Sequence, residues 1–481
     1  MLRVLYVSTE VHPWLKTGGL ADVNGALPAA LIAAGIDLRL LLPAFPALRA
    51  AASDYGRARP LVPAVGVSSA ALLPCRLGGV PAWLLDCPAL FARDGGPYSD
   101  ADGRDWPDNL RRFALLGWAA ARLGAGDLDP WRAAVVHSHD WHAALANAYL
   151  AIRGGARPAS VFTVHNLAYQ GQFAAAEFAT LDLPDSCYAS AGLEFYGHVN
   201  CMKAGLYYAD RITTVSATYA REIQTAEHGH GMDGLLRARA ATLCGILNGV
   251  DAQAWDPARD PALPAHFSAA DVAGKQACKS ALSSALGLHA GAGPLVGVVS
   301  RLTPQKGLDL LLACLPQIVA ADARIALLGS GDPIAERAWA AAAAAHPGTI
   351  AVRLGYDEAL AHRIYAAADV LAVPSRFEPC GLSQLYALRY GALPLVRRTG
   401  GLADTVIDTD ATTLAASEAT GFVFEQAETA ALGDTLRRCF ALWHAPALWR
   451  QVQYRAMTRD FSWAGAAAEY RALYRELRPA D

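Results

Sequence analysis

Short β-branched and leucine-rich runs alternate along this chain with longer alanine-rich stretches, and that alternation constrains the fold more than any other feature. In the first half the strand-like runs are residues 2–8, 37–42, 82–86, 134–138, 160–165 and 211–215. In the second half they are 294–300, 324–328, 349–354, 370–373, 393–396 and 421–424. Residues 109–123, 141–152, 308–320 and 383–390 read as helices between them. Strands that are apolar throughout, separated by helices, are the mark of parallel sheets covered on both faces. So many strands in 481 residues exceed one ordinary core, so an α/β chain of two doubly wound domains is expected rather than one barrel. The boundary falls at Asn248-Gly249-Val250-Asp251, a turn signal followed by a stretch broken by Pro257, Pro261 and Pro264. The expected domains are therefore 1–247 and 248–460, with an amphipathic helix over 461–477 inside a last segment, 461–481.

Composition narrows the function classes. Only 18% of residues are charged and the net charge is −3, so the chain has no global attraction for nucleic acid, and any phosphate site must be local. No apolar run reaches the ~18 residues of a membrane span. Residues 1–7 read as a strand rather than a signal peptide. The nine cysteines are scattered without a CxxC pair, which points to reduced thiols and a cytoplasmic protein.

In open α/β sheets ligands bind beyond the carboxyl ends of the strands, so the loops there are the candidate sites. The first is Lys16-Thr17-Gly18-Gly19-Leu20, where two glycines permit close approach, a helix begins, and a lysine adds charge. It is neither a Walker loop nor GxGxxG. The loop Ser300-Arg301-Leu302-Thr303-Pro304-Gln305-Lys306-Gly307 carries two cations able to clamp a diphosphate. Gly329-Ser330-Gly331-Asp332 is a weaker signal of the same kind. In Ser375-Arg376-Phe377-Glu378-Pro379-Cys380-Gly381-Leu382, Glu378 is an acceptor for a polar ligand and Cys380 reads as a packed residue rather than a nucleophile.

The first half adds His137-Ser138-His139-Asp140-Trp141-His142 and Thr163-Val164-His165-Asn166. The histidines lack zinc-ligand spacing, so no metal is expected. Polar groups beside Trp141 suit a sugar, which needs hydroxyl partners and a flat apolar platform. The tripeptide Asp408-Thr409-Asp410 reads as a loop, as do the equally cheap Asp100-Ala101-Asp102 and Asp127-Leu128-Asp129.

Taken together and in order, these loops resemble the bacterial glycogen synthase and plant starch synthase family. Gly192-Leu193-Glu194-Phe195-Tyr196, Leu206-Tyr207-Tyr208-Ala209-Asp210, Leu247-Asn248-Gly249-Val250-Asp251 and Arg397-Arg398-Thr399-Gly400-Gly401-Leu402 extend the likeness over the chain. Ser383 stands where the pattern has threonine, and residues 53–74 carry no familiar motif. The resemblance implies a GT-B fold, two Rossmann-like domains facing a deep cleft, with the last helix crossing back onto the first domain. It implies a cofactor-free transfer of glucose from ADP-glucose to the non-reducing end of an α-1,4-glucan such as glycogen, with retention. Lys16 and Gly18 would then touch the donor diphosphate, and Arg301 and Lys306 would neutralise it as it leaves. Glu378 would accept from sugar hydroxyls, and Cys380, Gly381, Leu382 and Ser383 would offer backbone N–H groups. Asp140 and His165 would line the sugar, Asn248 would hold a hydroxyl, Tyr356 would stack on adenine, and Asp22 would meet the acceptor. A related transferase using UDP-glucose, and a glycan-binding scaffold that has lost catalysis, are the competing readings.

Overall fold

A computed structural model describes residues 1–478. The chain divides into two compact units, Met1–Gly249 together with the chain from Trp463 onward, and Val250–Ser462.

The first unit is built on a nine-stranded sheet in the order Leu243–Gly245, Arg211–Thr214, Ala159–Val164, Val135–His139, Leu2–Val7, Ile36–Pro43, Val80–Asp86, Ala71–Leu77, Arg59–Pro60. Strands are parallel from Leu243–Gly245 through Val80–Asp86. Val4, Leu5, Tyr6 and Val7 are all 0% exposed, because helices cover both faces of the central strand. The chain winds outward from Leu2–Val7 to one side, then returns to the other side at Val135–His139. The order therefore reverses between these two strands, and the loops at their carboxyl ends meet at a topological switch point.

One edge of this parallel sheet is antiparallel. Ala71–Leu77 runs antiparallel to Val80–Asp86 and carries Arg59–Pro60 antiparallel beyond it. Gly78 and Gly79 join the hairpin with φ of +57° and +81°, the backbone of a two-residue turn with both central residues left-handed. A separate three-stranded sheet joins Gln172–Ala174, His198–Asn200 and Glu194–Phe195.

The second unit holds a parallel six-stranded sheet in the order Ile350–Leu354, Arg324–Gly329, Leu295–Val299, Val370–Val373, Leu393–Arg397, Phe422–Phe424. Its reversal lies between Leu295–Val299 and Val370–Val373. The helix expected over 308–320 is two, Leu308–Ala313 and Leu315–Ala320. Pro316 has no N–H to give the carbonyl four residues back, so the ladder breaks near Cys314. All nine cysteines are unpaired. No helix among the described residues is long and apolar enough to cross a membrane.

The helix Trp463–Leu477 packs within the first unit against the helix Gly19–Ala33. Tyr470 and Tyr474 are buried there, and the Tyr474 hydroxyl pairs with His137 Nδ1 at 2.6 Å.

Candidate active site

In the second unit, the two loops at the switch point are locked to each other. Arg376 N donates to the Gln305 carbonyl at 2.8 Å, and the Arg376 guanidinium grips both carboxylate oxygens of Asp309 at 2.6 and 2.7 Å. Gly307 has φ of +63°, and a Cβ there would sit 2.1 Å from the Pro374 carbonyl oxygen, so the loops approach as only glycine allows. This brings Lys306 Nζ to 2.6 Å from Glu378 Oε2. Ser375 Oγ donates to the same oxygen at 2.8 Å. One pocket is lined by Ser300, Lys306, Ser375, Glu378, Gly381, Leu382 and Ser383.

Behind this loop lies the turn opening the helix Gly400–Thr405. A Cβ on Gly400 would fall 2.0 Å from the Glu378 carbonyl oxygen, and one on Gly401 would fall 2.1 Å from that of Cys380. The Gly401 N–H donates to the Glu378 carbonyl at 3.1 Å, so the two glycines set the height at which Glu378 is presented. Gly381, with φ of +72°, turns the chain into the helix Ser383–Arg389. Cys380 is buried, and the Ser383 hydroxyl is 3.4 Å from the Val299 carbonyl. Arg301 is exposed beside these loops, and the exposed Tyr356 follows the strand Ile350–Leu354, its hydroxyl 3.0 Å from Glu358.

In the first unit the switch point gathers a second set. The buried Glu10 carboxylate accepts from the backbone N–H groups of Thr17 and Gly18 at 2.5 and 3.3 Å, and from the Tyr98 hydroxyl at 2.5 Å. It fixes the Lys16–Gly19 turn from beneath. Lys16 Nζ lies 2.7 Å from Asp22. A Cβ on Gly18 would meet no atom within 4 Å, so glycine here keeps space open instead of relieving a clash.

Asp140 opens the helix Asp140–Ile152 and accepts from His165 N at 2.7 Å and Asn166 N at 3.4 Å. Burial, with Glu10 nearby adding a smaller push, raises its carboxyl to about 7 against those two hydrogen bonds. Burial works oppositely on the histidines. His165 is lowered to about 3, and His137, His139 and His142 are held well below the usual range, so all four rings are neutral near pH 7. His139 Nδ1 and His165 Nε2 are 2.9 Å apart and share one proton. Tyr98 stacks on His142 at 4.2 Å, near Trp141. Asn248 is buried at the end of this unit's first segment.

The structure thus joins Lys306 to Glu378 with Gly381, Leu382 and Ser383 in one pocket, and Asp140 to His165 and Lys16 to Asp22 in the other unit. Glu10, Ser375 and Tyr98 were not singled out from sequence. A carboxylate just after the first strand, at a switch point, is a signal that could have drawn attention to Glu10; Ser375 and Tyr98 offer none.

Residues 3–238 match the family of starch synthase catalytic domains, and residues 293–441 match glycosyl transferases group 1. The glycogen synthases of Yersinia pseudotuberculosis and Yersinia enterocolitica are each 52% identical over 480 residues, 99% of this chain and 100% of theirs. The catalytic domain of starch synthase IV from Arabidopsis thaliana, solved bound to ADP and acarbose, superposes with a TM-score of 0.88 at 33% identity over 99% of both chains. Sucrose-phosphate synthase from Thermosynechococcus elongatus, at 18% identity and a TM-score of 0.60 over 100% of both chains, shares the fold.

Proposed function

This chain belongs to the glycogen synthase family of GT-B glycosyltransferases, and on that premise we propose that it moves glucose from ADP-glucose to the non-reducing end of an α-1,4-glucan, with retention, in glycogen biosynthesis. The observation that carries the reading is the Lys306–Glu378 pair, 2.6 Å apart in the switch-point pocket of the second unit. It sets a cation for a leaving phosphate beside an acceptor for sugar hydroxyls. Nine unpaired thiols suit the reducing cytoplasm, where we place the protein.

Cleaving a sugar–diphosphate bond builds negative charge on the departing ADP and positive charge on the anomeric carbon. Fixed cations stabilise the first because they need no reorganisation as it develops. Lys306 and Arg301 take that role, and Lys16 adds a third charge, with Gly18 leaving the phosphate room. Glu378 accepts from the glucose hydroxyls, and the turn through Cys380, Gly381, Leu382 and Ser383 directs backbone N–H groups at sugar and phosphate. Tyr356 offers its exposed ring to adenine. Asp140, His165 and Asn248 bind glucose hydroxyls, the neutral imidazole serving as a hydrogen-bond partner without adding charge. Asp22 faces the acceptor. Retention follows from attack by the glucan hydroxyl on the face the phosphate leaves, with that phosphate taking the proton, so no side-chain nucleophile is assigned.

The test is release of nucleoside diphosphate from ADP-glucose and UDP-glucose, each with and without glycogen, in chelator-treated buffer. Glycogen-dependent release from ADP-glucose is the expected result. A preference for UDP-glucose overturns the donor, and no release with either donor overturns the activity.

A further inference from the structure

Both hydrogen bonds that hold Glu378 fall on one of its oxygens. Lys306 Nζ and Ser375 Oγ lie 2.6 and 2.8 Å from Oε2, and no hydrogen bond to Oε1 occurs among the described residues. An ammonium is a compact charge with three rotatable donors and can follow either oxygen of a carboxylate. The last torsion of a glutamate is broad, so a lysine that can follow the carboxylate as it turns does not fix the plane in which the other oxygen faces the ligand. A hydroxyl three residues upstream, 0% exposed and fixed where the chain leaves the strand Val370–Val373, reaches one oxygen only.

We infer that Ser375 is a positioning residue for glucosyl transfer, anchoring one carboxylate oxygen of Glu378 and so fixing the plane in which the other is presented to a hydroxyl of the donor sugar. The anchor is needed most when donor is bound, because the diphosphate then competes for the charge of Lys306 while the serine keeps its bond. The inference rests on the proposed role of Glu378 as acceptor for the donor sugar.

The test compares ADP-glucose with ADP, which carries the diphosphate without the sugar. Affinities of both are measured by calorimetry on the full chain for wild type, Ser375→Ala, Ser375→Thr, Glu378→Ala and the Ser375→Ala/Glu378→Ala double variant, with kcat/KM for the active ones. Losing one charge-assisted hydrogen bond predicts a ~10-fold fall in kcat/KM for Ser375→Ala and a weaker preference for ADP-glucose over ADP. ADP affinity should stay within ~2-fold, threonine should restore most of the loss, and the double variant should bind ADP-glucose like Glu378→Ala alone. Equal weakening of ADP and ADP-glucose would overturn the inference, since the serine would then be supporting the whole pocket. So would a wild-type Ser375→Ala beside an impaired Glu378→Ala. If Glu378→Ala itself leaves sugar preference and turnover intact, the role of Glu378 fails first. Should the alanine variant not fold, Ser375→Cys, of similar shape and a weak donor, carries the same comparison.

Discussion

Asp140 sits in a conformation its side chain does not favour. Its φ is +55°, in the left-handed region, a cost of about 1–2 kcal/mol for a residue with a Cβ. The surrounding contacts hold it there with its carboxylate under the N–H groups of His165 and Asn166. With the neighbouring histidines already neutral, the carboxyl raised to about 7 is the group in this cluster that changes charge near neutrality. If the ionised form binds the sugar, kcat/KM for ADP-glucose should rise with pH through an apparent pKa near 7 and then level. Asp140→Asn should flatten that limb, and an unchanged profile in the variant would remove Asp140 from it. Stability runs the other way. The folded state holds this proton more tightly than the unfolded chain, so stability is lost as pH climbs from about 4 to about 7. The advantage of Asp140→Asn in denaturant titrations should therefore grow across that window and stay constant above it. Lys306 is a second single-residue test: Lys306→Ala should lower kcat by at least ~10²-fold, like the loss of one preorganised donor. An unchanged kcat in a folded variant would exclude it from leaving-group stabilisation.

At the scale of elements, the site depends on turns packed against turns. Gly401 lies under the Cys380 carbonyl, where a Cβ would be 2.1 Å from the oxygen, so Gly401→Ala must lift the Glu378 loop. A displacement of an ångström or so at a reacting group is worth ~10²-fold in rate, and kcat/KM should fall by that order while melting changes modestly. Wild-type kinetics would show that the loop absorbs the methyl elsewhere. The central parallel strands were legible from sequence because those buried on both faces, such as Leu295–Val299 and Val370–Val373, read as unbroken apolar runs. The hairpin edge was not, since Ala71–Leu77 mixes Pro74, Cys75 and Arg76 with leucines and has no clean period. The break at Cys314 was signalled by Pro316, but the apolar pattern of two short helices in line imitates one long helix. Among site residues, lysines and glycines in loops after strands could be found by position. Glu10 is marked by its place just after the first strand, but its role is not, because it acts on backbone N–H groups of Thr17 and Gly18, a contact no periodicity records. Ser375 differs from any other loop serine only in where its hydroxyl points.

The whole molecule is threaded so that one unit is continuous in sequence and the other is not. Val250–Ser462 is a single segment with its own buried core, entered and left side by side, where Val250 N donates to the Phe461 carbonyl at 2.7 Å. The other unit is finished only when the helix Trp463–Leu477 returns to it. That helix adds Trp463, Tyr470, Leu473 and Tyr474 to the core, and Arg471 donates to the Ala34 carbonyl at 3.2 Å. Burying several large side chains is worth ~1.5–3 kcal/mol each, comparable in sum with the net stability of a domain. A fragment of residues 250–462 should therefore fold alone, with a cooperative melt. A fragment of residues 1–249 should not, until a peptide of residues 463–481 is supplied. The peptide should bind saturably and restore dispersed amide resonances. Tyr474→Phe in the full chain, which removes the partner of buried His137 Nδ1 and little else, should cost about 1–3 kcal/mol in denaturant unfolding. If residues 1–249 melt cooperatively without the peptide, the helix is an ornament on a finished core. If 250–462 fails to fold, the unit's own core is insufficient and the chain folds as one cooperative block despite its two sheets.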